Sequence, residues 1–189
     1  MKRVIFVVWW VAAVVWTATE PAQALQFTAE QVTRAGGHTY RGNLYYRDDM
    51  WRIEHNNRGS VEVTIGRKDK GLMWLLLGRI KQFATLPLDD AIGIVLERPM
   101  KHETQRELIG NEVLDGHPTA LFQVTTREGE HVVVYYQWWA EDLQLALRLA
   151  RQDGSWIMDY KNVRLRPLST RLFDLPLNYR PADGCCAED

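Results

Sequence analysis

Along most of this chain apolar and polar residues alternate, and turn-forming residues interrupt the alternation roughly every ten positions. In the run 39–46, Tyr40, Leu44 and Tyr46 share one side while Arg41 and Asn43 take the other. Trp51, Ile53 and His55 then alternate with Arg52 and Glu54, and Val61, Val63 and Ile65 alternate with Glu62 and Thr64. Gly36-Gly37, Asp48-Asp49, 56–59, 67–71, Asp115-Gly116, 127–130 and Asp153-Gly154 supply the breaks. Further strands are expected at 107–113, 117–126 (Ala120, Phe122 and Val124 on one side), 145–149 and 156–163. Residues 72–77 and 131–139 are apolar on both faces, so each must lie centrally or under a cover. The run 27–34 reads as a strand or a short helix, and 172–177 as a closing segment.

One stretch departs from this rhythm. Over 86–97, Leu88, Ile92, Val95 and Leu96 fall at helical spacing, Asp89 and Asp90 suit a helix start, and Pro99 marks a stop. The inventory is mostly β (α+β): roughly ten antiparallel strands with one or two short helices. A sheet of that size curls or closes. Two outcomes stay open: a hollow that the short helix does not fill, or a fully packed interior.

The first 24 residues change the picture of where the domain works. Lys2 and Arg3 precede an apolar run over 4–16, and Ala22-Gln23-Ala24 is an A-x-A cleavage pattern. As a helix the run reaches roughly 20 Å, short of the roughly 30 Å of a membrane core. The expected organisation is a signal peptide over 1–24, cleaved after Ala24, one domain over 25–181 and a tail over 182–189. The periplasm is the natural destination. A net charge of −1 gives no electrostatic case for nucleic acid. Cys185 and Cys186, adjacent near the end, cannot staple a core and do not form C-x-x-C.

Catalytic patterns are missing. His38, His55, His102, His117 and His131 are scattered without metal-ligand spacing, and Ser60, Ser155 and Ser169 lie outside G-x-S-x-G. Asp48-Asp49 and Asp89-Asp90 are explained as a turn and a helix start. No glycine-rich phosphate loop is present. The reading is a non-enzyme with no metal and no cofactor. The aromatic block Tyr135, Tyr136, Trp138 and Trp139 reads as packing or as the wall of a ligand site.

The blocks 42–47 (GNLYYR) with 50–54 (MWRIE), 70–76 (KGLMWLL), Gln82, 107–119 (ELIGNEVLDGHPT), 136–142, 159–163 (DYKNV) and 172–176 (LFDLP) with Tyr179 resemble, in order and spacing, the periplasmic lipoprotein-carrier superfamily. The branch is the outer-membrane lipoprotein-sorting-like (LolA/LolB-like) one. The resemblance implies a curved antiparallel sheet, an incomplete barrel, with helices as a lid and acyl chains beneath them. Arg47 lacks the following proline frequent in carriers, and Gly78 stands where a proline is common. On this basis the expected cavity lining is Leu44, Tyr46, Trp51, Ile53 and Val63, then Trp74, Leu76, Ile92 and Val95, then Phe122, Val124, Trp138 and Leu147. Arg47 is expected to contact the lid. The expected function is non-catalytic binding of lipid or lipoprotein acyl chains, with lipoproteins or a membrane-associated protein as partners. The alternative is a periplasmic protein-interaction or sensor module with a filled interior.

Overall fold

The computed structural model describes residues 25–56, 59–88 and 99–182. The expected signal peptide, Ile92 and Val95 of the expected helix, and Cys185 and Cys186 lie outside the described residues. The first meander runs through β1 (Gln26–Ala35), β2 (His38–Arg47), β3 (Met50–His55), β4 (Val63–Arg67), β5 (Leu72–Leu77) and β6 (Gln82–Pro87). A second meander contains β7 (Glu103–Leu114), β8 (His117–Glu128), β9 (His131–Ala140), β10 (Leu145–Arg151) and β11 (Trp156–Leu165). The two-residue β12 (Arg180–Pro181) follows, parallel to β6.

All twelve strands form one curved, open sheet in the order β12-β6-β5-β4-β3-β2-β1-β11-β10-β9-β8-β7, not closed into a barrel. The two meanders meet where β1 pairs with β11, so the first long strand lies beside the last. Strand makes up 66% of the described residues, among which the helical turns are the 3-10 segments Lys68–Lys70 and Thr170–Phe173. The expected helix is corrected at its start: Leu86 belongs to β6, paired with Met73. No helix among the described residues is long and apolar enough to cross a membrane.

Local chemistry fixes the register. In the β7–β8 hairpin Asp115 and Gly116 both have positive φ, 52° and 85°. That is the two-residue turn whose twist matches its strands, and Asp-Gly is among the few pairs that adopt it without strain. At β3–β4, Gly66 lies opposite Trp51 and a Cβ there would overlap the indole, so the missing side chain lets the ring lie across the strand. Bulges at Leu108/Gly110 in β7 and Ala146/Arg148 in β10 bend the second meander.

Register also sorts the side chains. Tyr46 pairs with Trp51 and Leu44 with Ile53; Phe27 and Ala29 pair with Tyr46 and Leu44. Trp51 and Met73 both oppose Gly66. These residues therefore share one face. The same face continues through Tyr160 and Met158 of β11, Leu149 of β10, Gln137 and Tyr135 of β9, and Phe122 and Val124 of β8. Two apolar clusters occupy it. One joins Phe27, Leu44, Trp51, Met73, Leu147, Met158 and Tyr160; the other joins Met100, Phe122, Val124, Trp139, Ala146 and Leu149. Trp156 packs against both.

On the opposite face of β3–β6 lies a third cluster. Ile65 and Leu76 are covered there by Leu168 and Phe173 of the C-terminal segment, which crosses the sheet as a strap.

Candidate functional site

The apolar face is the candidate binding surface. Phe27 and Leu44 are fully buried in it. The Phe27 ring stacks on Tyr46 at 5.3 Å and meets Tyr160 edge-on at 6.5 Å. Burial pushes the Tyr160 hydroxyl far above the usual phenol range, so it stays neutral. From outside the sheet Leu88 and Leu143 pack into the first cluster and Met100 into the second. The face is thus mainly apolar across nine strands, β1–β5 and β8–β11, with Gln31, Thr33 and Thr64 as isolated polar positions and one buried polar network as the exception.

That exception lies toward β7. Gln137 is fully buried, and its Oε1 accepts a hydrogen bond from Arg106 Nη1 at 2.8 Å. Arg106 also donates twice to Glu103, at 2.8 and 2.7 Å, and its guanidinium stands 4.9 Å from the Phe122 ring. Glu103 in turn accepts from the Met100 amide at 2.9 Å. A bidentate carboxylate pair neutralises the guanidinium where water is scarce. This network ties the start of β7 to the middle of β9.

A cavity of about 220 Å³ opens beside the end of the β7–β8 hairpin, lined by Leu114, Asp115 and Leu147 with Arg148, Asp159, Tyr160 and Lys161. Asp159 is buried. Arg34 donates to one of its oxygens at 2.8 Å and Arg148 to the other. The Arg148 guanidinium lies 5.3 Å from the Trp138 ring, whose Nε1 donates to Glu112 at 2.9 Å. Five strands, β1, β11, β10, β9 and β7, are linked in this way on the face away from the oily surface.

Seven of the residues expected to line the cavity do meet on the apolar face or in its clusters: Leu44, Tyr46, Trp51, Ile53, Phe122, Val124 and Leu147. Val63, Trp74 and Leu76 do not. Thr64 opposes Ile53, so Val63 and Ile65 point the other way, and Trp74 and Leu76 follow them beneath the strap. Trp138 is also on the reverse face. The reason is one of parity: alternation within a strand shows which residues share a side, and only the turn geometry shows how the sides of successive strands correspond.

Arg47 donates to the carbonyl of Leu168 in the strap, and the expected lid past Leu88 lies outside the described residues. It has company that sequence reasoning missed. Arg52 reaches the carbonyl of Leu172 at 3.4 Å, and Arg67 that of Phe173 at 3.2 Å. Arg67 also bonds Asp69 through two nitrogens, at 2.8 and 2.7 Å, and Asp174 at 3.1 Å. Those bonds hold the Asp69 carboxyl below the usual carboxylate range. Sequence had assigned Arg67 to the turn 67–71; the structure ends β4 on it and buries it. Phe27, Ala29, Met73, Met158 and Tyr160 were missed as lining. Only the first two had a usable signal, the alternation of Phe27 and Ala29 with Thr28 and Glu30. Among the described residues no group of His, Cys, Asp and Glu is placed to hold a metal ion.

No family model matches the sequence, and no curated protein matches it. Solved structures do. An uncharacterised conserved protein from Thermus thermophilus superposes with a TM-score of 0.58 at 14% identity, over 84% of this chain and 90% of that one. MucB superposes with a TM-score of 0.58 at 12% identity, over 82% of this chain and 59% of MucB. MucB in the Pseudomonas aeruginosa MucA/MucB complex gives 0.55 at 15% identity, over 81% and 56%. The chain thus spans little more than half the length of MucB. At the level of fold, the curved antiparallel sheet expected from the sequence holds: the chain shares the curved open sheet of these solved structures.

Proposed function

We propose that this chain is an exported, periplasmic, non-catalytic binding protein whose oily sheet face receives the acyl chain of a lipid or lipoprotein. The observation that carries the reading is a single-layer sheet with one continuous apolar face, over which the described residues lay only Leu88, Met100, Leu143 and their neighbours. The strap covers the reverse face over β3–β6, and an apolar face such as the one holding Phe27, Leu44 and Tyr160, all buried, is kept from water by whatever packs on it. An acyl chain fits that role without directional chemistry, at about 0.8 kcal/mol per CH₂ buried. Export rests on the order of basic start, apolar run and A-x-A site over residues 1–24.

The test is native mass spectrometry of the protein purified from the cell envelope, followed by titration with a fluorescent fatty acid. Co-purified lipid, or saturable uptake weakened by Leu44→Asp in a variant that still folds, supports the proposal. A protein that emerges empty and takes up no fatty acid refutes it.

A second reading, a protein-interaction module, is favoured by two observations. Among the described residues, the cavity beside the β7–β8 hairpin holds about 220 Å³, below the roughly 300 Å³ at which small-molecule pockets begin. One matching fold was also solved in complex with a protein, MucA. Its signature is an empty protein that crosslinks in the envelope to one partner in fixed stoichiometry.

A further inference from the structure

We infer that β7 is a self-complementary edge through which two copies of this chain join their sheets. The two ends of the sheet differ. At one end β12 lies along β6 and closes with Pro181, which has no amide to offer a further strand. At the other end β7 is twelve residues long, and among the described residues nothing pairs with its outer edge. It also carries Leu108, Ile109 and Val113, exposed by 57%, 45% and 69%. Long apolar edges are the ones proteins ordinarily blunt.

The occupant follows from register. Leu108 opposes Phe122 and Gly110 opposes Leu121, so Ile109 is the bulge residue and the sides of β7 exchange there. In an antiparallel two-fold pairing, partners must come from the same side of the sheet. With Leu108 of one copy opposite Ile109 of the other, Arg106 meets Asn111, Glu107 meets Gly110 and Gln105 meets Glu112. Each pair is drawn from one side, and no like charges oppose. A shift of one step in either direction sets residues of opposite sides against each other. The next steps bring Glu103 or Glu107 against Glu112. Charge and side together leave one register, and it places the Leu108 and Ile109 side chains of both copies at the centre.

The test is sedimentation velocity of the purified chain between roughly 1 and 200 µM, a range that brackets weak to moderate self-association. Monomer giving way to dimer, with Leu108→Lys weakening the dimer at least tenfold while the far-UV spectrum and melting temperature hold, supports the inference. Gln105 tests the register. Gln105→Glu sets carboxylates against Glu112 twice and should weaken the dimer, and Gln105→Lys should tighten it. A chain that stays monomeric at the highest loading overturns the inference, including one that instead takes up an added foreign β-strand peptide. So does a dimer indifferent to the Leu108 and Gln105 variants.

Discussion

Replacing Arg67 by methionine removes the guanidinium and keeps an apolar stem of similar reach. Arg67 is 8% exposed and makes four hydrogen bonds, two to Asp69, one to Asp174 and one to the Phe173 carbonyl. The two carboxylates are 44% and 60% exposed, so water replaces the lost partner and each contributes at most about 1 kcal/mol. The Phe173 carbonyl is different. It belongs to a fully buried residue, and stranding it costs about 1–3 kcal/mol. The sum is about 3 kcal/mol. For a domain of this size that lowers the melting temperature by roughly 6–12 °C. The assay is thermal and urea unfolding, paired with amide exchange at Leu172 and Asp174, whose amides bond Ser169 and Arg171 within the strap. Faster exchange there than in β1 and β11 shows that the strap opens as a unit. A shift under about 2 °C with unchanged strap protection refutes the reasoning, because the arginine would then be an ordinary surface charge.

Three further outcomes are expected. Gly66→Val forces the Trp51 indole off its partner strand and costs about 1–3 kcal/mol, read as a lower urea midpoint; adding Trp51→Leu recovers much of it if the clash is the cause. Asp159→Ala leaves Arg34 and Arg148 without their shared carboxylate. Both guanidiniums reach water, at 48% and 30% exposure, so the loss is about 2 kcal/mol, and an equal loss in Asp159→Asn would show that charge is not what matters. Burial lowers the His55 imidazole below its ordinary 6.5, so the unfolded chain takes up the proton first as pH falls. The stability His55 supports is therefore complete above 6.5 and declines below it. Urea midpoints at pH 7.5 and 5.0 should fall further for the native chain than for His55→Gln, and parallel declines would remove this assignment.

Much of the fold was legible because alternation and turn chemistry are local. The β7–β8 hairpin could be placed from Asp115-Gly116 between alternating runs, and the first meander from its breaks at 36–37 and 48–49. β6 was not legible: Leu86 opens the run 86–97 in which Leu88, Ile92, Val95 and Leu96 fall at helical spacing, and its pairing with Met73 is decided by a neighbouring strand. The candidate site was half legible. Leu44, Tyr46, Trp51 and Ile53 fall on one face by simple alternation, whereas Val63, Trp74 and Leu76 lie past the loop 56–62, where the side correspondence is lost. Of the arginines at the strap only Arg47 was singled out, through the resemblance; Arg52 and Arg67 join it only when β2, β3 and β4 lie side by side.

The meeting of β1 with β11 has a kinetic consequence. Phe27 finds Leu165 across nearly the whole length of the domain, and every residue of that seam is similarly distant from its partner. Neither meander can enclose the shared oily face until both have been made, so the chain has a high contact order and its final closure is slow. A polypeptide that delays its own closure remains threadable, the property demanded of one delivered through a translocation channel before it folds.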